Sequence, residues 1–328
     1  MSDAVIATSA TPVVQRTDNG PLRKGLSVVV IYTPDGASSA VEYTMQYHLV
    51  AGERLLRMQL TGAAPSSSTT GYSVMARFPL AAAVTAIVHG TACHWDTGAP
   101  RGFYEASAYN ANQQPITFEA THDYLIGQDT SGNALAAIYH KSTPAWGIDP
   151  EGALIGCVLR NAYNGPGNAI QGNGEDTAVH TVRYALRVPG KLGPATSGEP
   201  LREALAYQTP LFAVAIPSTA TGTRDASASL AGTHSSEATI TAAKAGAGDP
   251  ATTVLRVYQP TNGARTIDVT LAPALMSAGF EPRAIDAIEM GPDPDLEVRK
   301  TSNGVKLSTR FALSTIALAP AAGASAKA

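Results

Sequence analysis

Charge is scarce in this sequence. Only 15% of its residues are Asp, Glu, Lys or Arg, against roughly a quarter in an average soluble domain. The formal net charge is −3, and no stretch gathers Lys and Arg into a stripe, so neither nucleic acid nor an anionic membrane is favoured as a partner. Cysteine is scarcer still. Two residues, Cys93 and Cys157, exclude a disulfide framework and leave a single pairing open. No run approaches 18 apolar residues, which argues against a membrane-spanning helix. The opening MSDAVIATSATPVVQ lacks a basic segment followed by an apolar one, and no Asn-x-Ser/Thr site occurs; together these absences point to a cytoplasmic protein. Catalytic signatures are missing too: no G-x-S-x-G elbow, no Walker loop and no H-E-x-x-H.

What is present is alternation. In VEYTMQYHL, Val41, Tyr43, Met45, Tyr47 and Leu49 share one face, with Glu42, Thr44, Gln46 and His48 on the other, the signature of a half-buried antiparallel strand. RLLRMQL places Leu56, Met58 and Leu60 on one face. AVHTVRYALRV sets His180, Val182, Tyr184, Leu186 and Val188 against Thr181, Arg183 and Arg187, and TIDVTL repeats the pattern with Ile267, Val269 and Leu271. Helical stretches are short, LREALAY from Leu201 and APALMSAG from Ala272, too short to build a layer. Thirty glycines and 22 prolines are dispersed through the chain, as many turns require. The expected fold is all-β: a large supersandwich-like antiparallel domain over residues 25–195, then a smaller β-sandwich over 196–318. Residues 1–24 form an N-terminal segment, and 319–328 an alanine-rich tail expected to fray. The boundary falls in VPGKLGPATSGEP, where Gly and Pro concentrate.

Several clusters invite a chemical reading and a plainer one. HGTACHWD brings His89, Cys93 and His94 within six residues. These are zinc-ligand types, but no fourth ligand is evident, and the stretch reads equally as a turn at a strand end. HWDTGAPRGFYEASAYNANQQP carries Trp95, Phe103, Tyr104 and Tyr109. Trp95 and Tyr104 are candidates to stack on sugar rings; the alternative is an Ω-loop packed by its own side chains. THDYL and IYHKSTPAWGIDPEG hold His122, Asp123, His140, Asp149 and Glu151. Paired carboxylates can cleave a glycosidic bond at the right separation, whereas DPEG reads most simply as a turn. His48 is expected to be solvated.

The segment VLRNAYNGPGNAIQGNGEDTAVHTVRYALRV is the most distinctive. A strand delivers Arg160 and Asn161, a loop with four glycines follows, and a strand resumes. This pattern resembles the C-terminal β region of family 38 glycoside hydrolases, the retaining α-mannosidases. EATITAAKAGAGDPATTVLRVYQPTNGARTIDVTL resembles the terminal sandwich of that family, EALAYQTPL the joint before it, and VKLSTRFALSTIAL its closing strand. The last two depart from the family pattern at Gln208 and Thr209, and in having Phe-Ala-Leu where Phe-Glu-Ile is usual. The match covers residues 120–318 well and 25–120 loosely.

The resemblance implies a division of labour. In that family the nucleophilic Asp, the acid/base carboxylate and the zinc ligands lie in an N-terminal α/β domain, which this sequence does not contain. No catalytic residue and no cofactor are then expected in this chain, with zinc belonging to the absent domain. Arg160 with Asn161 would complete a mannoside pocket, since a guanidinium fork can bond adjacent hydroxyls and glycines let the backbone approach closely. Expected partners are a catalytic α/β domain or subunit and an α-mannoside, with a homo-oligomer left open. Two alternatives remain. A free-standing polysaccharide lyase would use His122, His180 or Tyr184 as acid or base, with Arg160 and Asn161 against a uronate. A non-catalytic carbohydrate-binding or assembly module would depend on Trp95 instead.

Overall fold

A computed structural model describes residues 11–33, 40–65, 72–90, 95–98, 119–141, 145–149, 151–161, 178–187, 198–209, 229–233, 235, 238–259, 264–309 and 312–321. In chain order the first strands are β1 (Val13–Asn19), β2 (Arg23–Tyr32), β3 (Val41–Val50), β4 (Leu56–Gly62), β5 (Tyr72–Phe78), β6 (Ala86–Gly90) and β7 (Trp95–Gly98). They are followed by β8 (Glu119–Ala120), β9 (Tyr124–Gln128), β10 (Ala134–Lys141), β11 (Ala145–Ile148), β12 (Leu154–Asn161) and β13 (His180–Arg187). Helix α1 (Gly198–Gln208) comes next. The remainder is β14 (Ala231–Thr233), β15 (Thr239–Ala245), β16 (Thr253–Gln259), β17 (Arg265–Leu271), α2 (Pro273–Ala278), β18 (Phe280–Ile285), β19 (Glu297–Lys300), β20 (Gly304–Thr309) and β21 (Ala312–Pro320).

The chain forms two compact units, and α1 is divided between them, with Glu203–Gln208 grouped in the first. In the first unit, a nine-stranded sheet in the order β1-β2-β3-β4-β13-β10-β9-β6-β7 faces a four-stranded sheet in the order β5-β12-β11-β8. The second unit stacks β14-β17-β20-β19 on β15-β16-β21-β18. The described ladders are antiparallel throughout, as between β2 and β3, β13 and β4, and β16 and β21. The all-β class read from the alternation is the observed one.

Strand β1 lies inside the stretch that the sequence sets apart as an N-terminal segment. It pairs with β2 from Val13↔Val29 to Asn19↔Lys24. Six of its seven residues are exposed, so no buried face imprints alternation on its sequence. At the other end, β21 continues through Pro320, paired with Phe280.

The first core centres on Trp146, which is fully buried among Leu125, Ile138 and Leu154. Its ring meets Phe78 at 6.0 Å and the edge of Tyr184 at 6.5 Å between centroids. The ring has room because the residue facing it on β12 is Gly156, where a Cβ would sit 2.8 Å from three ring carbons. The β11–β12 hairpin closes on Gly152, whose φ of +81° suits a residue without a Cβ. Asp149 caps this turn by accepting from the amides of Glu151 and Ala153 at 2.9 and 2.8 Å. DPEG is therefore a turn. The second core is built from Leu255, Val257, Ile267, Val305, Leu307 and Ile316 among others, supplied by period-two faces of β16, β17, β20 and β21.

The outer face of the nine-stranded sheet departs from a simple solvated surface. Arg187 sits on the face that the alternation assigns to solvent, yet it is 1% exposed. The second half of α1 contributes Glu203 here: its Oε2 lies 3.3 Å from Arg187 Nη1 and accepts the hydroxyl proton of Tyr139 at 2.5 Å. Both burial and this carboxylate push the Tyr139 hydroxyl pKa up. Lys141 and Arg57 lie over the Tyr207 ring of the same helix, and Lys141 donates to the carbonyl of Gln208 at 3.0 Å.

Candidate functional site

The four residues expected to touch sugar are distributed as follows. Arg160 and Asn161 end β12, where the backbone pairs with Ser73 and Tyr72 of β5. Trp95 opens β7, at one edge of the nine-stranded sheet. The Arg160 and Trp95 backbones therefore belong to different sheets. Tyr104 and the glycine-rich loop over 162–177 lie outside the described residues, as do Cys93, His94, Phe103 and Tyr109. The environments of the Arg160, Asn161 and Trp95 side chains also fall outside the description.

Along Val74–Phe78 of β5, the stretch that pairs with Leu154–Leu159 of β12, the two sheets part around a cavity of about 550 Å³, within the range usual for binding pockets. Its walls include Tyr43, Met45 and Tyr47 of β3, Met58 of β4 and Tyr184 of β13. Tyr43 lies across Gly62, where a Cβ would come 2.5 Å from its ring. Desolvation pushes the hydroxyls of Tyr43 and Tyr184 up to about 12 and raises Tyr47 as well, so all three stay neutral and able to donate. The Tyr47 hydroxyl donates to Met45 Sδ at 3.6 Å, a weak acceptor. The cationic lining residue, Arg77, is already paired: Nε with Asp149 at 2.5 Å and Nη2 with Glu151 at 2.6 Å. No carboxylate is among the described lining residues.

The histidines and acids singled out from the sequence also find structural places. His140 is buried on the inner face of β10, with Nε2 2.7 Å from Thr121 Oγ1 and its ring 5.9 Å from that of Trp146. Asp123 has a φ of +71°; its carboxylate meets His122 Nδ1 at 2.9 Å and accepts from Gln208 Nε2 at 2.5 Å. Asp149 and Glu151 share Arg77. His89 is buried, with Nδ1 3.3 Å from the Gly90 carbonyl. His48 is half-buried and not simply solvated: its Nδ1 lies 3.6 Å from Asp18. Tyr184 packs edge-on against Phe78 and Trp146, in the position of a core residue. Among the described residues, no three His, Cys, Asp or Glu side chains gather to hold a metal ion, and no helix is long and apolar enough to cross a membrane.

Burial drives the His140 pKa down to about 4, against a smaller opposing pull from Asp123. The folded value is thus below the ordinary 6.5. As pH falls from 6.5 towards 4, the unfolded chain takes up a proton that the folded one refuses. Stability is intact above this window and declines through it, by about 3 kcal/mol at its lower end. Urea midpoints at about pH 7 and about pH 4.5 should show this fall, and His140→Leu should reduce the dependence.

These features define a class: a tandem antiparallel β-sandwich protein with an apolar opening in the larger sandwich. Protein-family models return no match to the sequence, and curated proteins return none. Solved structures do match. A protein in glycosyl hydrolase family 38 from Enterococcus faecalis superposes with a TM-score of 0.72 at 12% identity, over 94% of this chain and 36% of its own. An alpha-mannosidase from Enterococcus faecalis V583 gives 0.70 at 11% identity, over 94% of this chain and 35% of its own. The shared property is the fold, and this chain spans about a third of the length of either neighbour.

Proposed function

We propose that this chain is the β-sandwich portion of a family-38-like α-mannosidase. It forms one wall of a mannoside site, with Arg160 and Asn161 at the rim, and relies on an α/β domain carried by other polypeptide for the nucleophile and zinc. The observation that carries this reading is the lopsided coverage: 94% of this chain superposes on family 38 proteins while reaching only 36% and 35% of their lengths. None of the chemistry assigned to this chain uses a metal. Its own contribution is binding: a guanidinium fork that fixes sugar hydroxyls in one orientation.

The test is reconstitution. The 328-residue chain alone should not hydrolyse an aryl α-mannoside, and adding a chain that carries the α/β domain should give chelator-sensitive turnover. In the mixture, Arg160→Ala should lower kcat/KM by roughly tenfold to a hundredfold, the loss of one or two charge-assisted bonds. Robust hydrolysis by the isolated chain would overturn the proposal.

A further inference from the structure

The two sheets of the first unit are unequal, nine strands against four, and the mismatch is concentrated at β5. Strand β5 pairs with β12 along one side and ends its sheet, with no other described strand beside it. The buried core draws on β4, β13, β10, β9 and β6, while Tyr43, Met45 and Tyr47 of β3 are only partly buried. On β2, Val28 and Val30 are half-buried and Leu26 is exposed. Among the described residues, the inner face of β2 and β3 therefore lacks the cover that the four-stranded sheet gives their neighbours.

The cavity shows where cover is missing. Its lining includes every residue from Val74 to Phe78. The cavity therefore runs along β5, the strand that ends its sheet. Among the described residues, a backbone edge without a neighbouring strand and an apolar space lie side by side. A flat small molecule would fill only the second. An added strand matches both, since its backbone extends the sheet past β5 while alternate side chains enter the space.

We propose that the β5 edge and this cavity form a strand-acceptor site for an extended segment with large apolar side chains at alternate positions. The donor we assign is polypeptide of the larger enzyme outside these 328 residues, because most of each neighbour's length lies beyond the matched region. The donor's identity rests on the function proposed above; the acceptor site does not. A neutral cavity with its single arginine already paired selects an apolar, uncharged segment.

The probe is a blocked peptide, Thr-Val-Thr-Leu-Thr-Val-Thr, added to the full chain, with amide hydrogen exchange as the readout. At saturation, amides across Val74–Phe78 should exchange at least about tenfold more slowly, while a peptide with Ser in place of Val and Leu should leave them unchanged. Val30→Trp, which fills the cavity from β2, should abolish the protection without altering far-ultraviolet circular dichroism. Unchanged exchange at β5 would overturn the proposal. So would equal protection by the serine peptide, or cavity binding of an anilinonaphthalene sulfonate dye that the apolar peptide cannot displace. In a reconstituted complex, slow exchange at β5 without mannosidase activity removes the functional reading and keeps the acceptor site. Activity with β5 still exchanging fast does the reverse.

Discussion

Glu203→Ala is expected to destabilise the first unit by about 3 kcal/mol, the lower end for breaking a buried ion pair. Arg187 is 1% exposed and its Nη1 is 3.3 Å from Glu203, so the substitution removes one carboxylate partner from a buried guanidinium. The low end applies because the Glu203 side chain is 26% exposed, which leaves part of the pair hydrated. Tyr139 also loses the acceptor that it meets at 2.5 Å. Urea unfolding followed by tryptophan fluorescence in a Trp95→Phe background, which leaves Trp146 of the same unit as the reporter, measures the loss. The double variant Arg187→Met, Glu203→Ala should lose less than Glu203→Ala alone, because the buried charge that Glu203 faces is removed with it. Equal losses would mean that packing of α1, and not the charge pair, holds this face.

Trp146→Ala should cost the same unit about 3–5 kcal/mol, the range for emptying a buried indole site. The ring is fully buried and touches Phe78, His140 and Tyr184, so its removal opens space on three sides. Collapse of the site is limited because the surrounding groups sit on two opposed sheets, whose ladders resist small shifts. The measurement is the urea midpoint by circular dichroism. A loss below about 1 kcal/mol would mean that the sheets close over the gap.

The fold was legible because alternation is a direct image of a sheet with one wet face. TIDVTL reads correctly, with Ile267, Val269 and Leu271 all buried. β1 was set apart from the sheet because both of its faces are exposed, and a strand without an inside leaves no period. Arg187 was misplaced for the opposite reason. Its parity is that of the outer face, but the second half of α1 seals that part of the sheet, and a period-two pattern does not record which outer positions a distant helix covers. The site was less legible still. The pairing of Arg77 with Asp149 and Glu151 spans more than seventy residues, and the β5 cavity exists only because two sheets differ in width. Neither leaves a local motif. Arg160 and Asn161 stood out by their glycine-rich context, which marks where a loop starts and is silent on what it meets.

Three thioethers, Met45, Met58 and Met75, line the β5 cavity. Sulfoxidation would place a polar oxygen on each flexible side chain and turn a greasy wall into a wet one. The far half of the same sandwich, held by Ile87, Leu125, Ile138 and Leu154, offers an oxidant no sulfur at those positions. Peroxide should therefore silence the open end of this sandwich while sparing its closed end, and a methionine sulfoxide reductase would restore it.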